Sequence, residues 1–166
     1  MSAPLTRAEA EELLYREALL IDSRRWDEWL AMFCDDIEFH MPAWRDETTL
    51  TQDPDRELSL IYYRGRRNLE DRVMRATSGL STASTPLPRA VHAVTNVLVL
   101  AADRKEAHVS ACFTCHRFDV RFGRAEVFFG RYDYRLRHEG GAWKIARKTI
   151  ILLNDTIPTV ADIFSV

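Results

Sequence analysis

Between Asp22 and Pro42 the chain reads DSRRWDEWLAMFCDDIEFHMP, and the hydrophobic period changes inside this stretch. Trp26, Trp29, Leu30 and Phe33 recur at i, i+3, i+4 and i+7, one stripe of a helix. Ser23 is placed to cap its start, where backbone N–H groups would otherwise lack acceptors. The paired Asp35 and Asp36 predict its end. Beyond them Ile37, Phe39 and Met41 alternate with Asp36, Glu38 and His40, which predicts a strand over 36–41 with one apolar face. A tryptophan-rich helix feeding directly into a strand predicts a sheet curled around a helix.

The flanking sequence supports this layout. Thr6 and Glu9 form a T-x-x-E capping box, and Ala10, Leu13, Leu14, Ala18 and Ile21 give the first helix an apolar face. Residues 42–56, PAWRDETTLTQDPDR, read as a loop, long enough to suggest a functional or interface role. A short strand is expected over 57–63. A third helix follows over 69–78, capped by Asn68, faced by Leu69, Val73, Ala76 and Leu80, and ended by Gly79. A second loop covers 81–89. From Ala90 the pattern is strand throughout, in four runs over 90–101, 106–120, 124–138 and 142–154, joined by the turns ADRK, RFGR and EGG. Helices followed by a four-stranded meander predict an α+β domain. The tail 155–166 is apolar but too short to fold alone, so it must dock. No internal repeat or second domain is evident, and 1–166 reads as one domain.

Composition narrows the function classes. Hydrophobic residues make up 46%, which excludes a disordered chain. The formal net charge is -2, and arginines alternate with acids instead of clustering. That disfavours nucleic-acid binding, which needs a basic face. Residues 6–22 are amphipathic and charged where a secretory signal needs an unbroken apolar run, and no stretch reaches the length of a membrane span. With an odd number of cysteines, 3, the expectation is reduced thiols in the cytoplasm.

Each chemical motif meets an objection. CFTCH at 112–116 matches the spacing of haem attachment, but the segment reads as strand. An offset of three there puts Cys112 and Cys115 on opposite faces, with Cys115 beside Val109, Ala111 and Phe113 as a small core residue. His92, His108, His116 and His138 are spread over three expected strands, too dispersed for a convergent metal site. Asp36, Glu38 and His40 share a strand face as an acid–base trio, yet that face is solvated or interfacial if the apolar face packs inward. Asp22 reads as a helix cap or surface residue. Tyr62, Tyr63, Tyr132 and Tyr134 read as core or interface aromatics. Gly130, inside a strand, marks a bulge or bend. No phosphate-binding glycine loop, nucleophile elbow or dinucleotide fingerprint occurs.

The order of elements resembles the cone-shaped NTF2-like fold: N-terminal helices packed in a strongly curved, mostly antiparallel sheet. WDEWLAMFCDDIEFHMPAW and LTQDPDRELSLIYYRGRRNLEDRVMR resemble more narrowly the small (beta) subunit of bacterial aromatic-ring-hydroxylating dioxygenases, in the benzoate, anthranilate and 2-halobenzoate branch. The likeness runs from about Leu5 to the C-terminus, and DPDRE-x-SLIYY and NLEDRV are its most specific segments. It implies an α3β3 assembly in which a beta trimer meets a trimer of large (alpha) subunits. It further implies that a Rieske [2Fe–2S] cluster and a mononuclear Fe(II) sit on the alpha subunit, and that NADH supplies electrons through a reductase. This chain lacks the C-x-H pair of a Rieske centre, so it is expected to carry no cofactor, metal or catalytic residue. The competing expectations are a free-standing NTF2-like isomerase, dehydratase or cyclase, and a small-ligand-binding module.

Overall fold

A computed structural model describes residues 3–80, 85–154, 162–164 and 166. Helix α1 spans Arg7–Asp22 and opens with the expected capping box: Thr6 Oγ1 accepts from Glu9 N (3.3 Å) and Glu9 Oε2 accepts from Thr6 N (2.8 Å). Its buried stripe is Ala10, Leu14, Glu17, Leu20 and Ile21, so an acid lies on an otherwise apolar face. Only Ser23, Arg24 and Arg25 separate α1 from α2, Trp26–Ala31. Ser23 therefore ends α1 and does not cap α2, whose N-cap is Arg25 without a side-chain bond.

The helix-to-strand switch comes earlier than the sequence suggests. Strand β1 is Phe33–Pro42, so Phe33 opens the strand instead of closing the helical stripe. The aspartates expected to stop the helix lie inside β1. Their position has a physical cause: β1 pairs in parallel with β6, and the register jumps from Phe33↔Ile145 to Glu38↔Arg147. Asp35 and Asp36 occupy the irregular stretch between, where a bulge bends the strand and turns them to solvent.

Strand β2, Ser59–Arg64, pairs antiparallel with β1. Helix α3 is Arg66–Thr77, with Gly65 at its N-cap (φ +90°) in place of Asn68, whose amide donates to Arg64 O. Leu69, Val73 and Ala76 are buried, but Leu80 is not: the helix is over by Thr77 and Gly79 (φ +71°) carries the chain outward.

Strands β3 (Arg89–Ala102), β4 (Glu106–Asp119), β5 (Arg124–Glu139) and β6 (Ala142–Leu152) lie close to their expected bounds. The sheet has six strands, not four, in the order β2-β1-β6-β5-β4-β3, because β1 docks on β6 and brings β2 with it. All pairs except β1/β6 are antiparallel. Alternate residues of β4, Ala107, Val109, Ala111, Phe113 and Cys115, are buried under α1 and its neighbours. At Gly130 an added Cβ would run into the Ile151 carbonyl, so β5 and β6 approach there as only glycine allows.

The described part of the tail folds back into its own chain. Ile163, Phe164 and Val166 are buried, Phe164 meets Trp26 (ring centroids 4.9 Å apart), and Asp162 pairs with Arg72 of α3. Residues 155–161 and 81–84 lie outside the described residues.

Candidate functional site

The sheet register brings Val109, Tyr134, Lys148 and Phe39 into one row across β4, β5, β6 and β1. Lys148 is thus fixed at the centre of the concave face, and α1 lowers Glu17 onto it. Lys148 Nζ lies 2.8 Å from Glu17 Oε1, with both side chains buried. Tyr134 Oη donates to the other Glu17 oxygen at 2.6 Å. The ammonium also sits 4.3 Å from the Tyr132 ring centre, a cation–π contact. Burial and the Glu17 carboxylate both push the Tyr134 and Tyr132 phenols well above their ordinary range, so each stays protonated and Tyr134 keeps the proton it donates to Glu17.

A second polar pair lies beside the first. The Asp22 carboxylate accepts from the His92 backbone N–H (2.8 Å) and faces His92 Nδ1 at 2.6 Å. The pair spans the end of α1 and the start of β3, so Asp22 is a tertiary partner and not the surface cap expected of it. Nδ1 carries the proton toward Asp22, which leaves Nε2 facing inward. Glu17, Lys148 and His92 border a residual cavity of about 10 Å³, together with Trp29, Ile163 and Val166.

The sequence trio on β1 comes apart. Asp36 is exposed and bound by Arg137, whose hydrogen bonds hold its carboxyl below the ordinary value. Glu38 faces Arg147 at 3.5 Å. His40 is buried, against expectation, with the Tyr62 ring of the neighbouring β2 edge-on to it, centroids 5.3 Å apart. It meets Ser59 Oγ at 3.0 Å, and burial lowers its imidazole below the ordinary value. No two of the three share a partner among the described bonds, so the strand face is not an acid–base centre.

Cys115 is buried and Cys112 half-buried on the opposite face of β4, as the offset of three requires. Burial raises the Cys115 thiol to about 12 and the Cys34 thiol to about 11. Among the described residues Cys34, Asp36 and Glu139 bring ligand atoms within 4.8 Å of one another. Arg137 already bonds both acids there, at 3.0 and 2.8 Å, and the thiol is protonated, so the grouping is organised as an ion-pair cluster. His92, His108, His116 and His138 stay apart on β3, β4 and β5, the first two each facing an aspartate.

The loop before β2 is built, not slack. Thr51 Oγ1 bonds Ala43 and Leu58, Trp44 Nε1 donates to Leu152 O (2.7 Å), and Glu57 accepts from Gln52 and Asp53. Sequence reasoning missed the central network, although a signal was there. Glu17 falls on the stripe of Ala10, Leu14 and Ile21, and Lys148 shares strand parity with Ile150 and Leu152. A charge of each sign on two buried faces points to an internal pair.

Known proteins place this architecture. The 2-halobenzoate 1,2-dioxygenase small subunit of Burkholderia cepacia is 41% identical, over 92% of each chain. The anthranilate 1,2-dioxygenase small subunit of Acinetobacter baylyi is 37% identical, over 93% of this chain and 94% of that one. The crystal structure of the benzoate 1,2-dioxygenase beta subunit from Burkholderia mallei superposes with a TM-score of 0.79 at 33% identity, covering 96% of both chains. Solved neighbours of the fold are NTF2-like and cystatin-like. The model of the ring hydroxylating beta subunit family matches residues 16–159. With the expected elements in place and the likeness running through nearly the whole chain, this protein belongs to the beta-subunit family of the ring-hydroxylating dioxygenases.

Proposed function

We propose that the chain is a non-catalytic structural subunit of a dioxygenase that adds both atoms of O₂ to an aromatic carboxylate, giving a cis-diol or catechol. As a member of this family it belongs to an oxidoreductase complex with a large alpha subunit, and the Rieske and iron sites belong to that subunit. The observation that carries the structural role is the filled cone. Where a free-standing enzyme or binding module of this fold needs room for its substrate, Glu17, Lys148, Tyr132, Ile163 and Val166 border a space of about 10 Å³ among the described residues. No side chain of this subunit then acts on the substrate, and the cofactors it serves are held by its partner.

The substrate class follows from the relatives, which are named for 2-halobenzoate and anthranilate. The whole of 1–166 acts as one domain, in the cytoplasm, and three copies join three alpha subunits as α3β3. The outer face of the meander favours such assembly: Thr114 lies opposite Phe129, Cys112 opposite Arg131, and Val91 and Val127 flank His116. Aromatic, aliphatic and arginine groups mixed in this way suit a subunit interface. No described helix is long and apolar enough to cross a membrane.

Co-expression with the alpha subunit, followed by turnover with reductase, NADH and O₂, tests the substrate class. Benzoate, anthranilate or 2-halobenzoate should be dihydroxylated far faster than benzene. Preference for the unsubstituted hydrocarbon would contradict the carboxylate reading.

A further inference from the structure

At the centre of the cone two buried nitrogens have no partner among the described residues: Trp29 Nε1 and His92 Nε2. Trp29 is 1% exposed and the His92 side chain 3%. Both residues border the same cavity of about 10 Å³, and Lys148 borders it too. An indole N–H and an imidazole nitrogen sealed from solvent each carry a desolvation cost unless something bonds them. We propose that this cavity is a binding site for a single neutral, water-sized molecule, a buried water that accepts from Trp29 Nε1–H and donates to His92 Nε2.

Size and charge select this occupant. The space is at the lower limit for one water, roughly 10–15 Å³, and too small for an organic ligand. Asp22 accepts from His92 Nδ1–H at 2.6 Å, and in that tautomer Nε2 is the acceptor left to face the cavity. An anion could not bond that acceptor and would lie beside the Glu17 carboxylate, which already pairs with Lys148. A metal cation would face an indole N–H and an ammonium. Water alone supplies both a lone pair and a proton, and Lys148 keeps N–H directions free beyond Glu17 to serve as its third partner. The site would brace α2, β3 and β6 against one another through three elements that share no direct side-chain bond there.

A crystal structure of the full chain, alone or within its complex, tests the proposal. The expected result is one ordered water within hydrogen-bond reach of both nitrogens in every copy, and no anomalous peak after a bromide soak. In Trp29→Phe, the water should be lost or shifted while the Asp22–His92 contact stays. No density between the two nitrogens, in a map that shows other buried waters, would show that the cavity is dry. Bromide there would show an anion site. A His92 ring turned so that Nε2 meets a protein group would remove the need for any occupant. Each of these three results overturns the proposal.

Discussion

Glu17 and Lys148 are buried as a pair, so the two residues cannot be judged singly. Breaking such a pair leaves one charge uncompensated inside the core, which costs about 3–5 kcal/mol. Lys148→Ala should therefore lower stability by that amount in urea denaturation, and Glu17→Leu combined with Lys148→Met should recover most of the loss. A double variant no better than the single one would show that Tyr134 and the charges act as an inseparable network. The thiols offer a second check. Cys34 and Cys115 titrate near 11 and 12 against an ordinary 9.0, with burial the leading cause. In the native protein at pH 8, a thiol reagent should label Cys112 first and leave the other two untouched until denaturant is added. Because the folded state keeps these protons to higher pH than the unfolded chain, the stability they supply is whole below about pH 9 and declines as pH rises toward 11 and 12. Much of this chemistry was legible in the sequence: strand parity alone placed Cys112 and Cys115 on opposite faces. The partners were not, because Glu17 and Lys148, like Asp22 and His92, meet only after the sheet closes over α1.

At the scale of elements, local signals held where local forces decide. The Thr6–Glu9 box starts α1 and the four meander strands run close to their expected bounds. They failed where a distant strand intervenes. Asp35 and Asp36 resemble a helix stop, but pairing with β6 extends β1 through them as a bulge. His40 looks solvent-facing by parity, yet it is buried beside Tyr62 and Ser59 of β2. Trp29 remains the anchor of α2, packed edge-on against Phe33 with centroids 4.8 Å apart. Trp29→Ala should cost about 3–5 kcal/mol, the usual loss for a buried aromatic, and an unchanged denaturation midpoint would contradict its core position. Gly130→Ala should also destabilise, by about 1–3 kcal/mol or more, since the new methyl meets backbone rather than a movable side chain.

For the whole molecule, the cone is a solid body whose inner face is spent on its own helices and tail. The tail was expected to dock, and its described residues Ile163, Phe164 and Val166 do so within the chain's own core. The outer face of the meander, where Phe118, Phe122, Val127 and Phe129 are exposed, is the surface left for the proposed assembly. Light scattering on the isolated chain should give about three times the 19.2 kDa chain mass, a closed cyclic trimer. A monomer at micromolar concentration would assign assembly to the alpha subunit alone. The central claim is that this subunit supports the oxygenase without performing its chemistry. The most direct measurement is product formation with reductase, NADH and O₂, comparing alpha alone, this chain alone and the two together. Full turnover is expected only from the mixture and none from this chain alone; oxygenation by this chain in the absence of alpha would overturn the structural role.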